Sequence, residues 1–375
     1  MRRLNVAIAG CGWVADWHAR DGLKHIPQLF ALTACCDTDA TKRNEFAQRY
    51  GIAHAFADFA DLLAQPEIDV VVVATPPHLH YDMVVRALRA GKHVVCEKPL
   101  TSSLALADAI AAEEKRSRSR VMPIFQCRFG DGIARVRHVI QSGLAGRHYL
   151  ASIDTAKKRG PDYYAVEWRG KFATELGGVL ATQAIHIHDL VFWLLGPAAA
   201  VSAFKATRVN PIEVEDCAVA SLLMADGSLV SLSATLGSAR QAARMRFCFE
   251  NVTFERLALD DDSGKPGDEP WTVIPRTPEI GRAIAAKMQE VAPQKAWFAR
   301  QYELFHEAIA SGAAFPVTLA DARASLELIT ACYRASETGR SVALPIGPGD
   351  PGYGGWAPGQ PYAGTSHATP AAAAE

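Results

Sequence analysis

The sequence predicts an α/β chain in two parts: a parallel sheet covered by helices on both faces, then an α+β domain on a large, mainly antiparallel open sheet. Three observations carry this. Strand and helix signals alternate through the first 125 or so residues. The run Asp69 to Ala74 (DVVVVA) is continuously apolar, as in strands buried on both faces. Beyond it, strand signals follow one another with few helices between them, and Asp226-Gly227 marks a hairpin turn.

In the first part, strands are expected at Leu4 to Ala9, Phe30 to Asp37, Asp69 to Ala74, His93 to Glu97 and Val121 to Cys127. Helices are expected at Trp13 to His25, Lys42 to Tyr50, Asp58 to Ala64, Tyr81 to Ala90, and from Thr101 or Ser102, either of which can cap it, to about Arg118. In the second part, strands are expected at Tyr149 to Thr155, Val201 to Thr207, Cys217 to Leu223, Leu229 to Thr235, Met245 to Phe249 and Val252 to Leu257. Helices are expected at 178–195, 295–311 and 320–338. The division is 1–122, 123–345 and a Gly/Pro/Ala-rich tail, 346–375, with little to bury.

Composition limits the function classes. Among 375 residues the net charge is −1, so no basic excess recruits nucleic acid or an anionic membrane. No apolar run reaches bilayer length. Arg2-Arg3 before LNVAIAG imitates a short leader, but cleavage would remove the first strand, and a cytoplasmic protein is expected. The eight cysteines form no CxxC pair and read as reduced core thiols.

Gly10-Cys11-Gly12-Trp13-Val14-Ala15 follows a strand and opens a helix, and fits GxGxxG/A. Gly10 permits the tight turn, Gly12 lets backbone N–H groups approach a pyrophosphate, and the small Ala15 allows close helix–strand packing. Asp37 ends the second strand at the spacing of a carboxylate that binds the adenosine ribose and repels a 2′-phosphate. The first part therefore reads as a Rossmann domain with NAD as cofactor; NADP stays open, because Lys42 and Arg43 lie close by. Glu97-Lys98-Pro99 ends a strand, where ligands of open α/β sheets bind. Gln126 and Arg128 lie where the chain leaves this domain and are expected to border the nicotinamide.

GxGxxA, Asp37, ATPPHLHYDM (74–83) and CEKPL (96–100), followed by GGVLATQAIHIHDLVFWLLG (177–196), resemble the Gfo/Idh/MocA family of NAD(P)-dependent oxidoreductases over about residues 4–345. The resemblance implies hydride transfer between nicotinamide and an alcohol carbon of a sugar, cyclitol or sugar acid, the last in some members carried on a nucleotide. It implies a cleft between the domains and a homodimer or homotetramer. The family's lysine falls on Lys98, its Lys–Pro bond on a cis Lys98–Pro99, its catalytic histidine on His186, and the acidic follower on Asp189. Many members carry Asp four residues before the histidine; here it is Thr182, followed by Gln183, as in a subset.

The expected catalytic set is Lys98, His186 and Thr182. The expected cofactor contacts are Gly10, Gly12, Trp13, Val14, Asp37, Thr75, Pro76, His80, Glu97, Lys98 and Gln126. KKRGPDYYAVEWRGKF (157–172) resembles the YY…WRG segment of members acting on nucleotide-sugar acids, and gives Arg159, Tyr163, Trp168 and Arg169, with Gln183, Lys98 and His186, as expected substrate contacts. Tyr164 is a further candidate from the same segment. Thr182, His186, Asp189 and Trp193 share one helical face, from which His188 points away, so His186 and His188 form no metal pair. His78 and His80 have no acidic or cysteine cluster beside them, and no metal site is expected. Two rival readings are a non-catalytic NAD-binding sensor or scaffold, and an NAD-cycling, glycoside-cleaving enzyme, which would release no net NADH.

Overall fold

The computed structural model describes residues 2–295 and 297–357; the tail residues 358–375 lie outside the described residues. The first sheet interleaves strands and helices: β1 (Leu4–Ala9), α1 (Trp13–Trp17), β2 (Phe30–Cys36), α2 (Ala40–Tyr50), β3 (His54–Phe56), α3 (Phe59–Leu63), β4 (Val70–Val73), α4 (His80–Arg89), β5 (His93–Cys96), α5 (Leu104–Arg116) and β6 (Val121–Pro123). The strand order β3-β2-β1-β4-β5-β6 is parallel throughout. All four valines of β4 are fully buried at the sheet centre, as their uninterrupted apolar run requires.

The second unit comprises α6 (Asp131–Gln141), β7 (His148–Lys158), α7 (Pro161–Tyr164), α8 (Ile185–Leu195), β8 (Ala198–Ala206), β9 (Cys217–Met224), β10 (Leu229–Thr235), β11 (Gly237–Phe249), β12 (Val252–Leu259), β13 (Thr272–Pro275), α9 (Pro278–Gln289), α10 (Trp297–Ser311), α11 (Leu319–Thr338) and β14 (Val342–Ala343). Its eight-stranded sheet runs β13-β12-β11-β7-β10-β9-β8-β14, antiparallel except where β7 meets β10. In β9, buried and exposed residues alternate, so one face packs and the other is open.

Several expectations are corrected. The helix expected from Thr101 or Ser102 starts at Leu104, because Ser103 accepts the Leu106 N–H as N-cap. The strand expected to Cys127 ends at Pro123, where pairing with β5 stops, and a 3₁₀ turn follows at Gln126–Phe129. The helix expected over Trp13 to His25 is irregular: after α1 come a π turn, His18–Gly22, and a 3₁₀ turn, Leu23–His25. The described start of the tail is packed rather than extended. Trp356 is buried with its Nε1 donating to the Leu176 carbonyl at 2.5 Å, and the Tyr353 hydroxyl donates to Asp108 at 2.7 Å. Among the described residues no helix is long and apolar enough to cross a membrane.

Candidate active site

The turn after β1 approaches the end of β4 so closely that a side chain at Gly10 would stand 2.7 Å from the Ala74 carbonyl; Gly10 also has φ of +90°. Gly12 faces open space. Asp37 joins this turn to β2: its carboxylate accepts the Cys11 N–H at 2.8 Å and the Asp39 N–H at 2.9 Å. These groups begin a cleft of about 740 Å³ that runs from Asp37, Lys42 and Phe59 past Gly12, Trp13, Val14, Thr75 and Pro76 to Glu97, Lys98, Gln126 and His186. A dinucleotide fits its chemistry. A Cβ-free Gly12 opens onto one end, an exposed Trp13 stands at the rim, and the buried Gln126 Oε1 has no hydrogen-bond partner.

Lys98 follows β5 in a cis Lys98–Pro99 turn, and its Nζ donates to the Thr182 carbonyl at 2.8 Å. Burial lowers the pKa of this amine, while the Glu97 carboxylate works against the shift. Thr182 lies in a π turn, Leu180–Ala184, that leads into α8. Its hydroxyl donates to Gly178 O at 2.8 Å, so Thr182, expected in the catalytic set, meets Lys98 through its backbone carbonyl and not through its side chain.

His186 lines the cleft one turn further on, its ring edge-on to Phe125 with centroids 6.5 Å apart. Burial first, then the Lys98 charge, push its pKa down to about 3, so the imidazole is neutral near pH 7. The helical face continues to Asp189 and Trp193, which meet Arg128. The guanidinium takes Asp189 in two bonds, 2.7 and 2.5 Å, lies 5.7 Å from the Trp193 ring, and reaches Asp321 at 3.1 Å. Arg128, expected near the nicotinamide, is thus a buried tie between the 3₁₀ turn and α8.

Tyr163, Trp168, Arg169 and Gln183, from the second unit, form a wall of the same cleft. Arg169 lies 3.8 Å over Tyr163 and 4.3 Å from Trp168, bonds the Tyr163 hydroxyl, and pairs with Glu175 at 3.1 Å. Gln183 donates to the Tyr163 hydroxyl at 3.2 Å. Two expected contacts do not line the cleft. Arg159 is off the cleft lining, bonded to Gln241 at 2.9 Å and Gln183 at 3.3 Å. His80 is buried, its ring nitrogens 2.8 Å from the Pro99 carbonyl and 2.9 Å from the Thr75 carbonyl, so it clamps two cleft-edge turns instead of lining the cleft. Phe59, Met83, Arg86 and Val166 line the cleft without having been expected there. Nothing in their spacing marks them; the packing of separate loops brings them in.

Residues 4–125 match a family profile described as an oxidoreductase family with an NAD-binding Rossmann fold, and residues 133–255 match the GFO/IDH/MocA C-terminal domain. An uncharacterized oxidoreductase of Synechocystis is 30% identical over 241 residues, which are 60% of this chain and 63% of that relative. The D-glucoside 3-dehydrogenase of Escherichia coli is 25% identical over 91% of this chain and 97% of its own length. The crystal structure of the WlbA dehydrogenase from Bordetella pertussis, in complex with NADH and UDP-GlcNAcA, is 26% identical, with a TM-score of 0.80 over 92% of this chain and all of that one, 100%.

Proposed function

Because the chain belongs to the GFO/IDH/MocA family of oxidoreductases with an NAD-binding Rossmann fold, we propose that it is a dehydrogenase acting on a CH–OH carbon of a sugar, cyclitol or sugar acid. The observation that carries this reading is that Lys98 and His186 line one cleft with the glycine turn, Lys98 Nζ donating to the carbonyl of Thr182, one turn before His186. NAD, when bound, supplies the hydride acceptor.

The chain's own groups supply binding and proton transfer. The Lys98 ammonium holds the substrate hydroxyl oxygen and stabilises charge developing on it. The neutral His186 accepts the hydroxyl proton, a role its downward-shifted pKa keeps open across the neutral range. Tyr163 and Trp168 offer ring faces to a sugar, and Arg169 offers its guanidinium to an oxygen-rich or acidic substituent. Like the D-glucoside and WlbA dehydrogenases, which act on or bind carbohydrate, the protein takes a substrate rich in hydroxyl groups.

Two further features belong to the same reading. The outer face of the second sheet exposes Phe204, Val219, Leu223 and Leu229, an apolar surface suited to a second copy of the chain. All eight cysteines are free thiols, as in a cytoplasmic enzyme.

The test is NAD reduction by the full-length protein with a D-glucoside, a cyclitol, a uronic acid and UDP-GlcNAcA. Net NADH formation with at least one is expected. No NADH with any of them, at enzyme-level concentrations, would contradict the reading.

A further inference from the structure

One buried polar chain reaches the active site without taking part in the steps above. His18 lies in the π turn after α1, its ring fully buried. Its Nδ1 is 2.7 Å from the hydroxyl of Tyr302 on α10, and its Nε2 is 3.0 Å from Glu97 Oε1. The other Glu97 oxygen accepts the Lys98 backbone N–H at 3.2 Å. Tyr302 is itself fully buried, edge-on to Phe30. Tyr302, 284 positions from His18, is therefore joined through it to Glu97, the residue beside the active-site lysine.

The placement has an electrostatic meaning. A carboxylate taken out of water is neutralised unless donors and cations hold its charge. Burial pushes the Glu97 carboxyl up, but the His18 hydrogen bond first, with the neighbouring His18, Lys98 and His186 side chains, outweighs it and brings the pKa to about 2. The ionised Glu97 in turn supports the charge of Lys98 against burial. The other groups facing Lys98 are Arg169, Cys127, Glu175, His80 and His186; Cys96, His80 and Tyr302 also face Glu97. Of all these, only His18 bonds a Glu97 side-chain oxygen from its own side chain. A π turn is rare in an α-helix and frequent at functional sites, and here it aims the histidine at Glu97.

We propose that His18, held by Tyr302, is a positioning residue that acts through Glu97 to set the charge and aim of the Lys98 amine. This rests on the reading of Lys98 as the active-site amine.

The experiment titrates Lys98 directly and needs no substrate. The full-length protein is labelled with trace acetic anhydride across a pH series, and acetylation is read at the Lys98 peptide by mass spectrometry. In His18→Leu the midpoint falls by about one pH unit, the scale of losing one charge-supporting contact. In Tyr302→Phe, which removes a single hydroxyl, it falls in the same direction by less. His18→Gln, which still donates a hydrogen bond, recovers part of the shift. A Lys98 midpoint equal to that of the parent protein in Tyr302→Phe, with NADH binding intact, overturns the proposal, whether or not His18→Leu folds. Turnover by Lys98→Met bears on the functional reading alone, so the two can fail separately.

Discussion

Lys98 Nζ donates to the backbone carbonyl of Thr182 at 2.8 Å, so the lysine of the first domain is tied to the helix that carries His186 in the second. The tie is made by main chain, and the Thr182 hydroxyl is spent on Gly178. Thr182→Val should therefore leave kcat within about threefold of the parent while costing about 1 kcal/mol of stability, the usual worth of one hydrogen bond. Steady-state rates and a denaturant titration check the two halves.

His186 accepts a proton in this account, and its pKa is held near 3 by burial. The acid limb of kcat/KM should then lie well below the ordinary histidine range. His186→Asn should lower kcat by about 10²–10⁴-fold, the usual contribution of general acid–base catalysis, with NADH binding kept. A pH–rate profile and a fluorescence titration measure both.

Asp37 lines the cleft beside Lys42 and holds the glycine turn through the Cys11 N–H, and on the reading proposed above it takes the adenosine ribose. Asp37→Ser removes both the carboxylate that repels a 2′-phosphate and a charge-assisted bond worth about 1.5–3 kcal/mol. NAD should bind about ten- to hundredfold more weakly, and the preference for NAD over NADP should shrink. Paired NADH and NADPH titrations would show it.

His188 is buried on the far side of α8 with its pKa pushed down to about 4 by burial. A histidine depressed in the fold contributes stability above its unfolded pKa, about 6.5, and loses that contribution as pH falls toward the folded value. Stability should decline between about pH 6.5 and 4, and the decline should be shallower in His188→Leu. Asp189 works the other way, since burial raises it to about 6, so the difference between parent and variant isolates the histidine. Thermal melts across that window measure it.

Much of this was legible in the sequence because burial writes itself into pattern. The four valines of β4, the alternation in β9 and the Gly10–Gly12 turn each have one physical solution. Lys98, His186, Gln126 and the Tyr163–Arg169 segment stand together on one cleft, as their motifs imply. What was not legible depends on local departures from regular geometry or on distant partners. α6 begins after Gly130 with no side-chain cap, so no start signal marks it. The π turns at His18–Gly22 and Leu180–Ala184 break the 3.6-residue period that helix reading relies on. Arg128 finds its acid 61 residues away, and His80 turns from the cleft because two carbonyls are closer. Composition hid Tyr353 and Trp356, two buried rings in a segment otherwise fit to be loose.

On the proposed function, Lys98 serves hydride transfer from a carbohydrate carbon to NAD. Single-turnover NADH formation, with the D-glucoside, cyclitol, uronic acid or UDP-GlcNAcA that the parent oxidises, tests it in Lys98→Met. A rate about 10²–10³-fold below the parent at saturating NAD is expected, the usual worth of one charge-stabilising group. NADH formed by Lys98→Met at the parent rate would contradict it.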